Sequence, residues 1–259
     1  MKNIQKILSR ARLAIEKYNM IEDGDRIAVG VSGGKDSLVL LLALAEIKKF
    51  LPRSFDLVAI TVDMGFHTCE KAPAPKNEHA EIRALCDSIG VPYIVKETEL
   101  AHIIFDVRQE SNPCSLCSRM RRGILHDAAK EAGCNKIALG HHFDDAVETF
   151  MLNLFFEGRI GSFSPVTLLS KKELILIRPF VLTEEKEIKS FIKKVPLPVE
   201  KSPCPEDKHT DRERFKRMVD EMDRENKGLK HRVFTAMEKG RIDGFFPLSE
   251  GREPPPKSE

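Results

Sequence analysis

An α/β fold, with a parallel sheet flanked by helices, is what the sequence predicts, on three observations. Short apolar runs rich in β-branched residues alternate four times with helical patterns within the first 157 residues, an order that sets strands side by side and parallel. The first of them, Arg26–Val31 (RIAVGV), runs straight into Ser32-Gly33-Gly34-Lys35-Asp36-Ser37 and then into the apolar stretch Leu38–Ala45. The polar motifs fall in loops or where a strand gives way to a helix, the edge at which such sheets build their sites.

Each element has its own signal. Apolar positions at helical spacing over residues 2–19 predict an amphipathic helix. The turn Glu22-Asp23-Gly24-Asp25 leads into the first strand, and Phe55–Val62 (FDLVAITV) reads as the second, ending at Asp63. Prolines and alanines over Lys71–Lys76 mark a loop, Asn77–Ile89 a helix closed by Gly90, and Pro92–Lys96 a third strand. A helix over Leu116–Ala132, a strand over Lys136–Leu139 and a helix starting near Asp144 follow, then a looser region with a strand at Leu174–Ile177. Helices at 184–194, 209–224 and 227–238 make a small helical C-terminal part, and Pro254-Pro255-Pro256 lies in a tail expected to be disordered. The division expected is an α/β unit over 1–180, a helical part over 181–245 and a tail over 246–259.

Composition narrows the class. The chain has 259 residues, 41% hydrophobic and 32% charged, which suits a globular protein able to bury a core. It holds no apolar run long enough to span a membrane and opens without a signal peptide's apolar core, so a cytoplasmic location is expected. A net charge of +2 means that any nucleic-acid contact must come from local basic patches.

The hexapeptide Ser32–Ser37 suits a phosphate. Its glycines let the backbone N–H groups approach, the helix N-terminus adds partial positive charge, and Ser32, Lys35 and Ser37 add donors. It is not a Walker A loop: only three residues separate Gly30 from Gly34, and Asp36 follows the lysine, where an acidic residue favours Mg²⁺. Ser32–Ser37 matches SGGxDS, the signature of the PP-loop (N-type) ATP pyrophosphatases, which this sequence resembles. Val62-Asp63 is similar to the segment that contacts adenosine in that family. Gly140-His141-His142-Phe143-Asp144-Asp145-Ala146-Val147-Glu148-Thr149 is similar to its GHxxDDxxET segment. The resemblance implies an adenine nucleotide alpha hydrolase-like fold and cleavage of ATP between the α and β phosphates, with AMP passed to a carbonyl oxygen. It further implies ATP contacts from Ser32, Gly33, Gly34, Lys35, Asp36, Ser37, Asp63, Gly140, His141 and Asp144. Lys35, Asp36 and Asp145 are the expected catalytic residues, with Asp36 on Mg²⁺.

Six cysteines are present, and Cys114-Ser115-Leu116-Cys117 opens a helix beside Arg119, Arg121 and Arg122, which favour thiolates. The residues alone leave zinc and an iron–sulfur cluster open, with Cys204 the further thiolate that stands out. A redox pair lacks its usual position just after a first strand. Asn112–Gly123 (NPCSLCSRMRRG) and the Ser-Pro-Cys-Pro setting of Cys204 resemble the tRNA 2-thiocytidine synthase subgroup over about residues 20–220. That resemblance implies a 4Fe-4S cluster on Cys114, Cys117 and Cys204, tRNA as substrate, thiolation of a pyrimidine C2 carbonyl, and sulfur from a cysteine desulfurase or sulfide. Where many members carry a second CxxC, this chain has Cys204-Pro205-Glu206-Asp207. A homodimer is a frequent form in the family.

Arg119, Arg121 and Arg122 are the expected tRNA contacts. A second basic cluster, Lys208, His209, Arg212, Arg214, Lys216 and Arg217, divides evenly between an RNA surface and a solvated helix, because Asp211, Glu213 and Asp220 intersperse it. Two other functions share parts of the pattern: a PP-loop ligase using an amine nucleophile, which has no use for three cysteines, and a nucleotide-binding iron–sulfur or zinc sensor, which forms no AMP.

Overall fold

A computed structural model describes residues 4–109, 113–206 and 211–246. Among them the run at 26–31 forms β1 (Asp25–Gly30), followed by helix α2 (Lys35–Ile47) after the amphipathic α1 (Gln5–Lys17). Then come β2 (Phe55–Asp63), α3 (Ala80–Ser88), β3 (Tyr93–Glu97), α4 (Pro113–Glu131), β4 (Lys136–Ala138) and α5 (Phe143–Phe156). A hairpin of β5 (Val166–Leu169) and β6 (Leu174–Ile177) leads to α6 (Glu185–Ile192), α7 (Asp211–Glu225) and α8 (Leu229–Lys239).

The six strands lie in the order β3-β2-β1-β4-β6-β5. All neighbours are parallel except β5, which runs antiparallel to β6 with Val166 opposite Ile177. The sheet is therefore mostly parallel, as expected, with one antiparallel edge strand that four residues of weak pattern did not announce. Strand β1 is central and its Ile27, Ala28 and Val29 are fully buried, which explains an unbroken apolar run where a one-sided sheet would alternate. Helix α2 is likewise apolar on every side: Leu38, Val39, Leu40 and Leu41 have no exposure. Each such side chain stabilises the fold by about 1.5–3 kcal/mol.

Helices α6, α7 and α8 pack on α1, α2 and α5. Phe191, Phe215, Phe234 and Phe245 join Ile7, Leu40 and Val147 in one core, so the C-terminal helices close one face of the sheet. The helix expected over Asn77–Ile89 starts later, at Ala80, because His79 takes a left-handed conformation (φ 50°) that stops it N-terminally. A π-helical turn over His102–Arg108, unannounced by the sequence, carries Phe105 and Asp106. No helix among the described residues is long and apolar enough to cross a membrane. Lys208, His209 and the tail with Pro254 fall outside the described residues, as does the side chain of Arg212.

The sheet order reverses between β1 and β4: the chain leaves β1 towards β2 and β3, and returns to β4 on the other side. The crevice beyond the carboxyl ends of two such strands is where open α/β sheets bind ligands.

Candidate active site

Ser32–Ser37 lies at that crevice, after β1, and is fixed by its own serines. Ser37 Oγ accepts the Ser32 N–H at 3.1 Å and donates to the Gly34 carbonyl at 2.9 Å. Gly33 has φ +78°, a left-handed conformation that glycine adopts without strain. From the neighbouring strand, Gly140 presses against this loop: a Cβ there would stand 3.0 Å from the Asp36 carbonyl carbon and 3.2 Å from the Ser37 nitrogen. Only a bare backbone allows the two motifs to meet this closely.

A cavity of about 670 Å³ opens from this point. Ser32, Asp36, Ser37, Gly140, His141 and Asp145 line it. So do Cys114, Cys117, Arg121 and Arg122 from α4, and Cys204. The phosphate loop and all three expected sulfur ligands thus share one cleft. Of the three arginines, Arg119 is exposed and does not line it.

The two aspartates of the second motif have separate tasks. Asp145 lines the cleft and forms a reciprocal cap with His142: its Oδ2 accepts the His142 N–H at 2.9 Å, and its own N–H donates to His142 Nδ1 at 3.3 Å. Asp144 turns away. It accepts the Glu185 N–H at 2.7 Å and the Lys230 ammonium at 2.8 Å. Burial works to raise its pKa, but these donors prevail and hold it below the usual carboxylate range. Lys35 Nζ is shared between Asp36 at 2.8 Å and Glu185 at 3.0 Å. Asp63 accepts the Gly65 N–H at 2.9 Å and faces His79, whereas its neighbours Val62 and Met64 line the cleft.

Cys204 reaches the cleft on a strap that crosses the phosphate loop. The Glu200 N–H donates to the Gly33 carbonyl at 3.0 Å, and the Glu200 carboxylate is 3.0 Å from His79 Nδ1. Cys204 then packs against Phe66, Cys69 and Ala101. Cys69, Cys86 and Cys134 are buried. The Cys69 thiol is 3.7 Å from the Asp106 carboxylate.

The Cys117 thiol is raised by burial, lowered by Arg121, and raised again by Cys204 and Cys114, with a net rise. Cys117 thus lies within electrostatic reach of both other cysteines. Among the described residues, no three Cys, His, Asp or Glu side chains gather around one point suited to a single ion. Cys114, Cys117 and Cys204 all line the one cleft, and thiolates are the donors that a four-iron cluster takes. Asp36 Oδ1 is buried with no hydrogen-bond partner, an unfilled acceptor beside the loop that a cation would satisfy.

Glu148, also in the second motif, is 3% exposed, and its Oε1 has no partner. Burial raises its pKa from 4.5 to about 7. The folded state therefore holds this proton more tightly than the unfolded chain does. The resulting stability is complete below pH 4.5 and is lost as pH rises towards 7. The loss is on the order of 3 kcal/mol. Glu148→Gln is expected to remove this slope, so that chemical denaturation at pH 5 and pH 8 differs less in the variant than in the wild type. An unchanged difference would exclude Glu148 as its source.

Sequence reasoning missed Glu185, Glu200 and His79. Nothing local marks them, since each acts through a partner distant in the chain.

Comparison with known proteins agrees with this geometry. The PP-loop domain family matches residues 4–222. The chain is 39% identical over 239 residues to the tRNA-cytidine(32) 2-sulfurtransferase of Geobacter metallireducens, covering 91% of this chain and 90% of that protein. It is 40% identical over 221 residues to the corresponding protein of Syntrophotalea carbinolica, covering 84% and 82%. Among solved structures, the U34-tRNA thiolase NcsA from Methanococcus maripaludis with its 4Fe-4S cluster superposes with a TM-score of 0.69 at 25% identity, over 95% of this chain and 80% of that one. The chain belongs to the PP-loop family, in the group of the tRNA-cytidine(32) 2-sulfurtransferases.

Proposed function

We propose that the protein is an ATP-dependent tRNA sulfurtransferase that replaces the C2 oxygen of a cytidine by sulfur. The observation that carries this reading is the single cleft lined both by Ser32, Asp36 and Ser37 and by Cys114, Cys117 and Cys204. Oxide is a poor leaving group, so the carbonyl oxygen must be activated before sulfur can displace it. ATP lies on Ser32–Ser37, where backbone N–H groups and the N-terminus of α2 hold the phosphates. The base oxygen attacks the α-phosphorus and pyrophosphate leaves. A sulfur nucleophile then adds at C2, and AMP departs with the original oxygen.

The chain's own groups hold the participants in place. Asp36, with its unpartnered Oδ1, binds Mg²⁺ beside the phosphates. Asp145 orients the nucleotide from the first turn of α5, and Lys35 supplies charge to the departing pyrophosphate. Arg121 and Arg122 meet RNA phosphates at the cleft mouth and bring the base to the loop. Cys114, Cys117 and Cys204 would hold a 4Fe-4S cluster, which when bound would supply a site for the incoming sulfur. That sulfur comes from a cysteine desulfurase or from sulfide, in the cytoplasm.

The test is nucleoside mass spectrometry of tRNA incubated with the iron-loaded protein, ATP, Mg²⁺ and sulfide. Thiocytidine is expected, with one AMP formed per sulfur inserted. AMP formation without thiolated nucleoside would point to the ligase reading instead.

A further inference from the structure

The basic run on α7 does not form one surface. Arg214 and Arg217 are exposed, whereas Lys216 is largely covered and its ammonium is 3.1 Å from Glu185 Oε2. The other oxygen of that carboxylate, Oε1, is 3.0 Å from Lys35 Nζ in the phosphate loop. One carboxylate thus holds a lysine of the loop and a lysine of α7 side by side. Lys189, 2.9 Å from the same carboxylate, approaches from the solvent-exposed side of α6.

Carboxylates from two helices face Lys216. Glu148 and Asp145 reach it from α5 and Glu185 from α6, and Asp145 itself lines the cleft. Burial alone would lower the Lys216 pKa, but these carboxylates outweigh it and keep the ammonium charged. For Glu185, burial is overcome by Lys189, Lys35 and Lys216, so its carboxylate stays ionised. A charged ammonium packed among carboxylates beside a phosphate loop is placed to take phosphate oxygens in their stead.

We infer that Lys216 is a phosphate ligand of the nucleotide, forming with Lys35 a two-lysine clamp for the β- and γ-phosphates of ATP and for the pyrophosphate that leaves. Glu185 occupies the clamp until the polyphosphate arrives, and Lys189 then keeps its carboxylate neutralised. The inference rests on reading the cleft as the ATP site. It also divides the basic run: Arg214 and Arg217 face outward towards RNA, and Lys216 does not.

Titrations of full-length protein with a non-hydrolysable ATP analogue, with pyrophosphate, and with tRNA at several salt concentrations test it. Lys216→Ala is expected to raise the Kd for analogue and pyrophosphate about tenfold and to leave the salt dependence of tRNA binding unchanged. Arg217→Ala is expected to do the reverse, lowering the salt slope by about one. Lys216→Arg should recover most of the nucleotide affinity. If the alanine variant does not fold, Lys216→Gln, which keeps much of the side-chain stem, makes the same comparison. Nucleotide affinity within about twofold of wild type, or a fall in the tRNA salt slope matching that of Arg217→Ala, overturns the assignment. Wild type that binds no nucleotide overturns the ATP reading of the cleft and this inference with it.

Discussion

Cys204→Ser is expected to abolish the visible colour of the iron-loaded protein and to lower tRNA thiolation at least about a thousandfold, with the fold intact. The reason is positional. Cys204 is half-buried on the wall of the cleft, and its neighbours Phe66 and Ala101 would surround a serine of nearly the same size. A melting temperature within about 3 °C of wild type is therefore expected. ATP affinity should also hold, because the strap contacts the loop through Glu200, whose backbone the substitution leaves alone. Absorption spectra, iron content and nucleoside analysis of the same preparation make the check. A variant that keeps its colour shows that the third ligand lies elsewhere. One that unfolds shows that Cys204 serves packing and not sulfur transfer.

Gly65→Ala is expected to cost more stability than any other single methyl addition considered. Gly65 has φ +70°, and a Cβ there would stand 1.9 Å from the carbonyl oxygen of Thr98. Both the backbone conformation and the space exclude a side chain, and Thr98 cannot yield easily because its hydroxyl donates to the Asp63 carbonyl. Relief requires moving the end of β2 away from the chain that follows β3. A loss of about 3–5 kcal/mol is expected, read by urea denaturation. Gly90→Ala serves as a control: its φ is +67°, but nothing lies within 4 Å of the added carbon, so it should cost only the backbone strain, about 1 kcal/mol. Equal losses at the two positions would show that the clash with Thr98 carries no weight.

What could be read in advance was what local chain chemistry decides. β1 declares itself because a central parallel strand is buried on both faces and needs no alternation. The serines and glycines of 32–37 declare themselves because their hydrogen bonds close within six residues. The β5 strand was missed because four half-buried residues carry no clear period, and the π-helical turn because its pattern does not differ from an ordinary amphipathic segment. The site divides in the same way. Cys114, Cys117 and Cys204 stand out as sulfur donors, but nothing in the order of residues says that Glu200 secures the strap on Gly33. Lys216 is the sharpest case: in sequence it is one more cation among Arg214 and Arg217, and only the packing of α7 against α5 and α6 turns it from that company.

The strap ties the two parts of the cleft to each other. Cys114 and Cys117 sit on α4, whereas Cys204 is carried on the chain whose Glu200 N–H is bonded to the Gly33 carbonyl. A change that displaces Gly33 therefore reaches the segment bearing Cys204 as well as the phosphate loop.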